Sequence, residues 1–234
     1  MNNDISKYKN DYIEENSAFS KLFRNVYIWM TLALTVTGIT AFYAANYFTL
    51  HPMLLTTGLI LTLGIVELAI VVILSAYIEK LSFPVAGIMF MIYSVINGVT
   101  LSVILLAYTL SSIASAFFVT AGTFAAMALI GTFTKMDLSK YGSLLFMALI
   151  GLIIASVVNI FWANSTLYWI VTYVGVLVFV GLTAYDAQKI KNMLKYQNDD
   201  EHGMKISLLG SLSLYLDFIN LFIYILRIVG NRNS

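Results

Sequence analysis

A chain of 234 residues that is 60% hydrophobic and 11% charged is no ordinary soluble domain, where about a quarter of residues carry charge. Its mean hydropathy of +0.86 and net charge of +1 describe a polytopic membrane protein, with no nucleic-acid partner expected. Cysteine is absent and histidine occurs twice, which removes disulfides, thiol nucleophiles and cysteine metal sites and argues against zinc.

The first 25 residues are polar and mixed in charge, with no apolar stretch leading to a cleavage site, so 1–25 is expected as a flexible cytoplasmic tail and 26–230 as the membrane domain. Apolar runs then follow at Val26–Phe48, Leu54–Tyr77, Val85–Tyr108, Ile113–Phe133, Gly142–Trp162, Tyr168–Tyr185 and Ile206–Ile228, each long enough to span a bilayer. The predicted fold is all-α, a seven-transmembrane-helix bundle. Breaks between the runs are short and carry turn chemistry (His51-Pro52, Phe83-Pro84, Ala163-Asn164-Ser165), apart from the polar stretch Lys189–Lys205.

Basic residues alternate by connection. Lys7, Lys9, Lys21 and Arg24 precede span one, Lys80 follows span two, Lys135 and Lys140 follow span four, and Lys189, Lys191, Lys195 and Lys205 follow span six, while the connections after spans one, three and five have none. The positive-inside rule then puts the N-terminus in the cytoplasm. Arg227 and Arg232 flank the C-terminus, which seven crossings place outside; a re-entrant last segment turning at Asp217 is the competing topology.

Of the acids, Glu67, Asp186 and Asp217 lie within a span or at its inner end. An Asp at a helix centre costs about 2.5 to 3.5 kcal/mol on insertion scales, so it normally faces protein or water and does work. Spans six and seven are consecutive and antiparallel, hence neighbours. Asp186 and Asp217 reach one depth if span six continues to about Ile190 or span seven begins nearer Gly210, and both are expected in part. Two carboxyl groups close together in low dielectric cannot both ionise cheaply and tend to share a proton. Sharing it, they pin span six to span seven; doubly ionised, they repel, open a path or jointly receive a divalent cation. Ser213, Asp217, Asn220 and Tyr224 fall on one face of span seven, and Tyr93, Asn97, Thr100 and Tyr108 on one face of span three, with aliphatic opposite faces that suit lipid. Such neutral groups also bind helix to helix, as do the small pairs Ser94/Gly98, Gly122/Ala126 and Gly151/Ala155. Trp29, Trp162, Tyr168 and Trp169 read as interfacial anchors, Arg227 as a snorkelling residue, and the acidic stretch around His202 as a solvated loop.

The pairing of Tyr185-Asp186-Ala187-Gln188-Lys189-Ile190-Lys191 with Ser213-Leu214-Tyr215-Leu216-Asp217-Phe218-Ile219-Asn220-Leu221-Phe222 resembles the signature of the Bax inhibitor-1 family. Val26-Tyr27-Ile28-Trp29-Met30-Thr31, Glu67, Asn97-Gly98-Val99-Thr100-Leu101-Ser102 and Lys135-Met136-Asp137-Leu138-Ser139 fit in order, so the resemblance runs from about Asn25 to Gly230. It implies a pH-sensitive calcium leak channel, with Ca²⁺ as the transported ion and no cofactor. Asp186 and Asp217 are then the shared proton sensor and gate; on the reading of the residues themselves that pair can also receive the metal, and Glu67, Asn97, Thr100, Ser213 and Asn220 are the candidates to line the path. Members can carry a basic latch near the inner end of span two, a part only Lys80 can take here. The partners are the lipid bilayer, Ca²⁺ and protons.

Two other classes compete. Intramembrane aspartyl proteases also pair aspartates on adjacent helices, but they carry Gly-x-Gly-Asp where this chain has Leu214-Tyr215-Leu216-Asp217, so no enzyme is expected. The alternative is a non-catalytic regulator, inhibitor-like, of another membrane protein such as a membrane-anchored protease, a role the family also contains. A regulator should need Met1–Asn25 and a leak should not. The setting expected is a bacterial cytoplasmic membrane.

Overall fold

A computed structural model describes residues 2–233, with side chains from residue 16 onward. Seven helices emerge: α1 (Asn2–Leu50), α2 (Thr57–Tyr77), α3 (Phe83–Leu106), α4 (Leu110–Phe133), α5 (Gly142–Phe161), α6 (Ser165–Leu194) and α7 (Glu201–Val229). Each is long and apolar enough to cross a membrane, and no strand occurs among the described residues. The protein is a seven-helix membrane bundle.

Two boundaries differ from expectation. The N-terminal segment is helical in backbone from Asn2, so it forms the first turns of α1 and not a loose tail. Phe19, Leu22 and Phe23 recur at i, i+3 and i+4, Phe19 stacks on Phe23, and Leu22 and Val26 are fully buried. Lys7 and Lys9 lie outside the residues whose side chains are described. The polar stretch 189–205 is also mostly helix: α6 continues past Ile190 to Leu194, as its pairing with α7 requires, whereas α7 starts earlier than Gly210, at Glu201. Asp200 Oδ1 accepts from Gly203 N at 2.8 Å and caps α7, which is why the helix begins there. At 29 residues and about 1.5 Å each, α7 runs unbroken through Asp217, so the re-entrant turn does not exist.

The chain forms two compact units, Met1–Leu106 with Ile190–Leu212, and Ala107–Lys189 with Ser213–Ser234. In the first, α1 crosses α3 where Gly98 leaves room: a Cβ there would lie 2.7 Å from Thr37 O. Thr37 Oγ1 donates to Ser94 O at 2.9 Å across the same crossing. One end of this unit is tied by polar contacts. Lys21 pairs with Asp199, Phe83 N donates to Glu201 Oε1 at 3.1 Å, and His202 Nδ1 faces Glu79 Oε2 at 3.2 Å. The acidic stretch read as a solvated loop is thus engaged by side-chain partners, with His202 in the first turn of α7.

In the second unit α6 meets α4 at Gly131, whose missing side chain admits the backbone of Ala184, and meets α7 at Gly175, beneath the Tyr224 ring. α7 is 61% buried over its most apolar window, against 6% for α2 and for α5. The apolar face of α7 expected to meet lipid is instead core, with Ile219, Phe222 and Leu226 at 6% exposure or less. On α3 that expectation holds, since Ile88 and Ile92 are exposed.

Candidate functional site

Asp217 is 4% exposed, and its Oδ2 is buried with no hydrogen-bond donor among the described residues. Such an oxygen is costly, since the desolvation penalty of an unpaired buried polar group is about 1–3 kcal/mol and more for a charge. Neighbouring rings on α7 fix its direction. Phe218 packs edge-on against Phe117 and Phe124 of α4 at 5.9 and 5.5 Å, and Tyr224 stacks on Phe179 of α6 at 5.8 Å. α7 is therefore held on two sides, and Asp217 cannot rotate away without unpacking aromatics.

Asp186 is held the same way from α6. Two residues before it Ala184 lies in the Gly131 notch, and two residues after it the Gln188 amide is used at both ends, accepting from Leu138 N at 2.7 Å and donating to Met136 O at 2.8 Å. Tyr185 between them packs over Gly142 and carries Lys189 against its ring at 6.0 Å. The two acids belong to the same unit, Asp217 buried on α7 and Asp186 half-buried on α6. Ser213 is half-buried one turn before Asp217, while Asn220 turns back to donate to Leu216 O at 2.8 Å, which commits its amide to α7 itself.

The first unit holds a second cluster. Thr100 Oγ1 donates to Glu67 Oε1 at 2.6 Å and Asn97 Nδ2 to Glu67 Oε2 at 3.4 Å, so three predicted residues join α2 to α3 with the acid satisfied and half-buried. Lys80 is exposed and lies over its neighbour Tyr77 at 5.2 Å. Among the described residues no three His, Cys, Asp or Glu side chains gather as a metal site. Gln188 and Gly131, which position Asp186, carried no role in the sequence reading. A neutral amide and a glycine have no insertion penalty large enough to mark them.

This arrangement defines a multi-pass helical membrane protein with a carboxylate, Asp217, buried within its second unit. Residues 19–234 match the family described as "Inhibitor of apoptosis-promoting Bax1". The chain is 50% identical over 223 residues to the inner membrane protein YbhL of Escherichia coli, covering 94% of this chain and 95% of that protein. It is 40% identical over 209 residues to an uncharacterized protein of Rickettsia prowazekii, 89% of each, and 37% identical over 233 residues to one of Borreliella burgdorferi, 99% of each. The chain belongs to the Bax inhibitor-1 family.

Proposed function

We propose that the protein is a pH-sensitive calcium leak of a bacterial cytoplasmic membrane, N-terminus inside, gated by the proton shared between Asp186 and Asp217. The observation that carries this reading is the Asp217 carboxylate, buried with one oxygen lacking any donor among the described residues, in the same compact unit as a second acid, Asp186. A purely structural acid finds donors, as Glu67 does. An acid left without them beside another acid is held in place by packing elsewhere and is available to change state.

The gate works through charge. With one proton on the pair, the carboxyls attract and α6 stays against α7. With none, two like charges in low dielectric repel and part the helices, and the freed oxygens suit a hard divalent cation with its water shell. No catalytic step is required of either group. The direction of the pH response follows: removing the proton opens the path, so flux rises with pH.

The test is Ca²⁺ entry into dye-loaded proteoliposomes at about pH 6 and about pH 8, the range a shared carboxyl proton can span. Wild type should conduct more at the higher pH, and Asp217→Asn and Asp186→Asn should each lose the pH dependence. Flux that falls with rising pH refutes the latch as stated. No flux at any pH moves the family's regulator role to first place, with deletion of Met1–Asn25 as its own test.

A further inference from the structure

At the end of the second unit formed by the C-terminus of α7 and the N-terminus of α6 lies an open cleft of about 620 Å³. Both arginines of the C-terminal region line it, and none of the described residues lining it is acidic. The surroundings are fixed. The segment after α7 is strapped to the α3–α4 connection, with Thr109 N donating to Asn231 O at 3.1 Å, Asn233 N to Ala107 O at 3.0 Å and Asn231 N to Ser112 Oγ at 2.8 Å. Arg232 sits in the middle of that strap and bonds the hydroxyls of Tyr108 and Tyr168. Arg227, in the last turn of α7, is flanked by the rings of Tyr168 and Tyr224 at 5.4 and 5.2 Å.

An arginine that satisfies itself on ring faces keeps its edge N–H groups for a planar or tetrahedral oxyanion. No acidic side chain among the described residues pairs with either guanidinium. Ser165, the first residue of α6, also lines the cleft, adding the positive end of a 30-residue helix. Two fixed cations, a helix start and no acidic side chain among the described lining residues make a site for negative charge. Its mouth is apolar: Trp169, Ile170 and Ile228 are exposed beside it, where acyl chains run in a membrane.

We propose that this cleft binds a phosphate-type oxyanion, presented by the headgroup of an anionic phospholipid. Arg227 and Arg232 hold the phosphate oxygens in charge-assisted hydrogen bonds, and Trp169 lies against the lipid. Binding here is independent of the aspartate gate, so a protein that conducts no Ca²⁺ still binds the headgroup.

The cleft contains one of the three tryptophans, which supplies the readout. Full-length protein carrying Trp29→Phe and Trp162→Phe is titrated in detergent with dioctanoyl phosphatidylglycerol, dioctanoyl phosphatidylcholine and inorganic phosphate while Trp169 fluorescence is followed. The expected result is a saturable change with phosphatidylglycerol, about tenfold weaker in Arg227→Gln and in Arg232→Gln and retained in Arg227→Lys. Helical circular dichroism and elution volume show that each variant is folded. Equal affinity for phosphatidylcholine, whose phosphodiester is neutralised by its own choline cation, removes the need for a net anionic headgroup and overturns the proposal. Saturation by inorganic phosphate at the same affinity keeps the oxyanion and overturns the lipid as its source. An unchanged affinity in folded Arg227→Gln and Arg232→Gln overturns the site altogether.

Discussion

Glu67 and Asp217 are both carboxylates set within apolar helices, yet the fold treats them in opposite ways. Glu67 lies on α2, the least enclosed kind of helix here, and receives hydrogen bonds from Thr100 and Asn97 of α3. Asp217 lies on the most enclosed helix, and its Oδ2 receives none. Where lipid surrounds an acid, donors must come with it, because nothing else can offset its desolvation. Where protein surrounds it, rings and glycine notches can hold an unsatisfied oxygen in place at the expense of stability elsewhere. The lesson is that depth in the membrane does not separate an acid that joins helices from one poised to change charge; its donors do.

The largest effect that sharpens this contrast is expected at the two acids themselves. Asp217→Asn should abolish the pH dependence of Ca²⁺ flux in proteoliposomes while leaving thermal stability equal or higher, since it replaces an acid that lacks a donor. Glu67→Gln should leave the pH dependence in place; its loss there would erase the distinction between the two sites.

Gly131→Val comes next. Its side chain cannot fit against the Ala184 backbone, so it should push α6 off α4, lower stability by about 1–3 kcal/mol and disturb the pH response two residues away at Asp186. Unfolding in detergent and the flux assay measure the two effects separately. Glu67→Ala should cost about 1–2 kcal/mol, because Thr100 and Asn97 are left without their shared acceptor, and hydrogen–deuterium exchange should rise on α2. The smallest effect belongs to the solvent end of the first unit. Lys21 and Asp199 form an ion pair with side chains 54% and 30% exposed, so Lys21→Ala should shift stability by less than about 0.5 kcal/mol and less still in high salt.

Much of the candidate site was legible because the bilayer makes charge conspicuous. Three intramembrane acids stand out of a chain that is 11% charged, and the order of the helices makes α6 and α7 neighbours. Asn97 and Thr100 were legible as polar positions on α3, though their role as donors to Glu67 was not, because a polar stripe looks alike whether it faces water or another helix. Asn220 shares the Asp217 face by periodicity but spends its amide on Leu216. Helix ends were harder, since Asp200 caps α7 inside a stretch whose charge looks like a loop.

By itself the sequence determined seven spanning helices, their alternating basic connections and the acids that cannot sit in lipid unattended, because each follows from the cost of moving polar groups out of water. Only the tertiary structure decided which acid is satisfied, which face of α7 is core, and that two arginines at the end of the second unit share a cleft with no acidic lining. Those outcomes depend on what the neighbouring helix brings within about 3 Å, the reach of a hydrogen bond, and a one-dimensional pattern of hydropathy does not contain that distance.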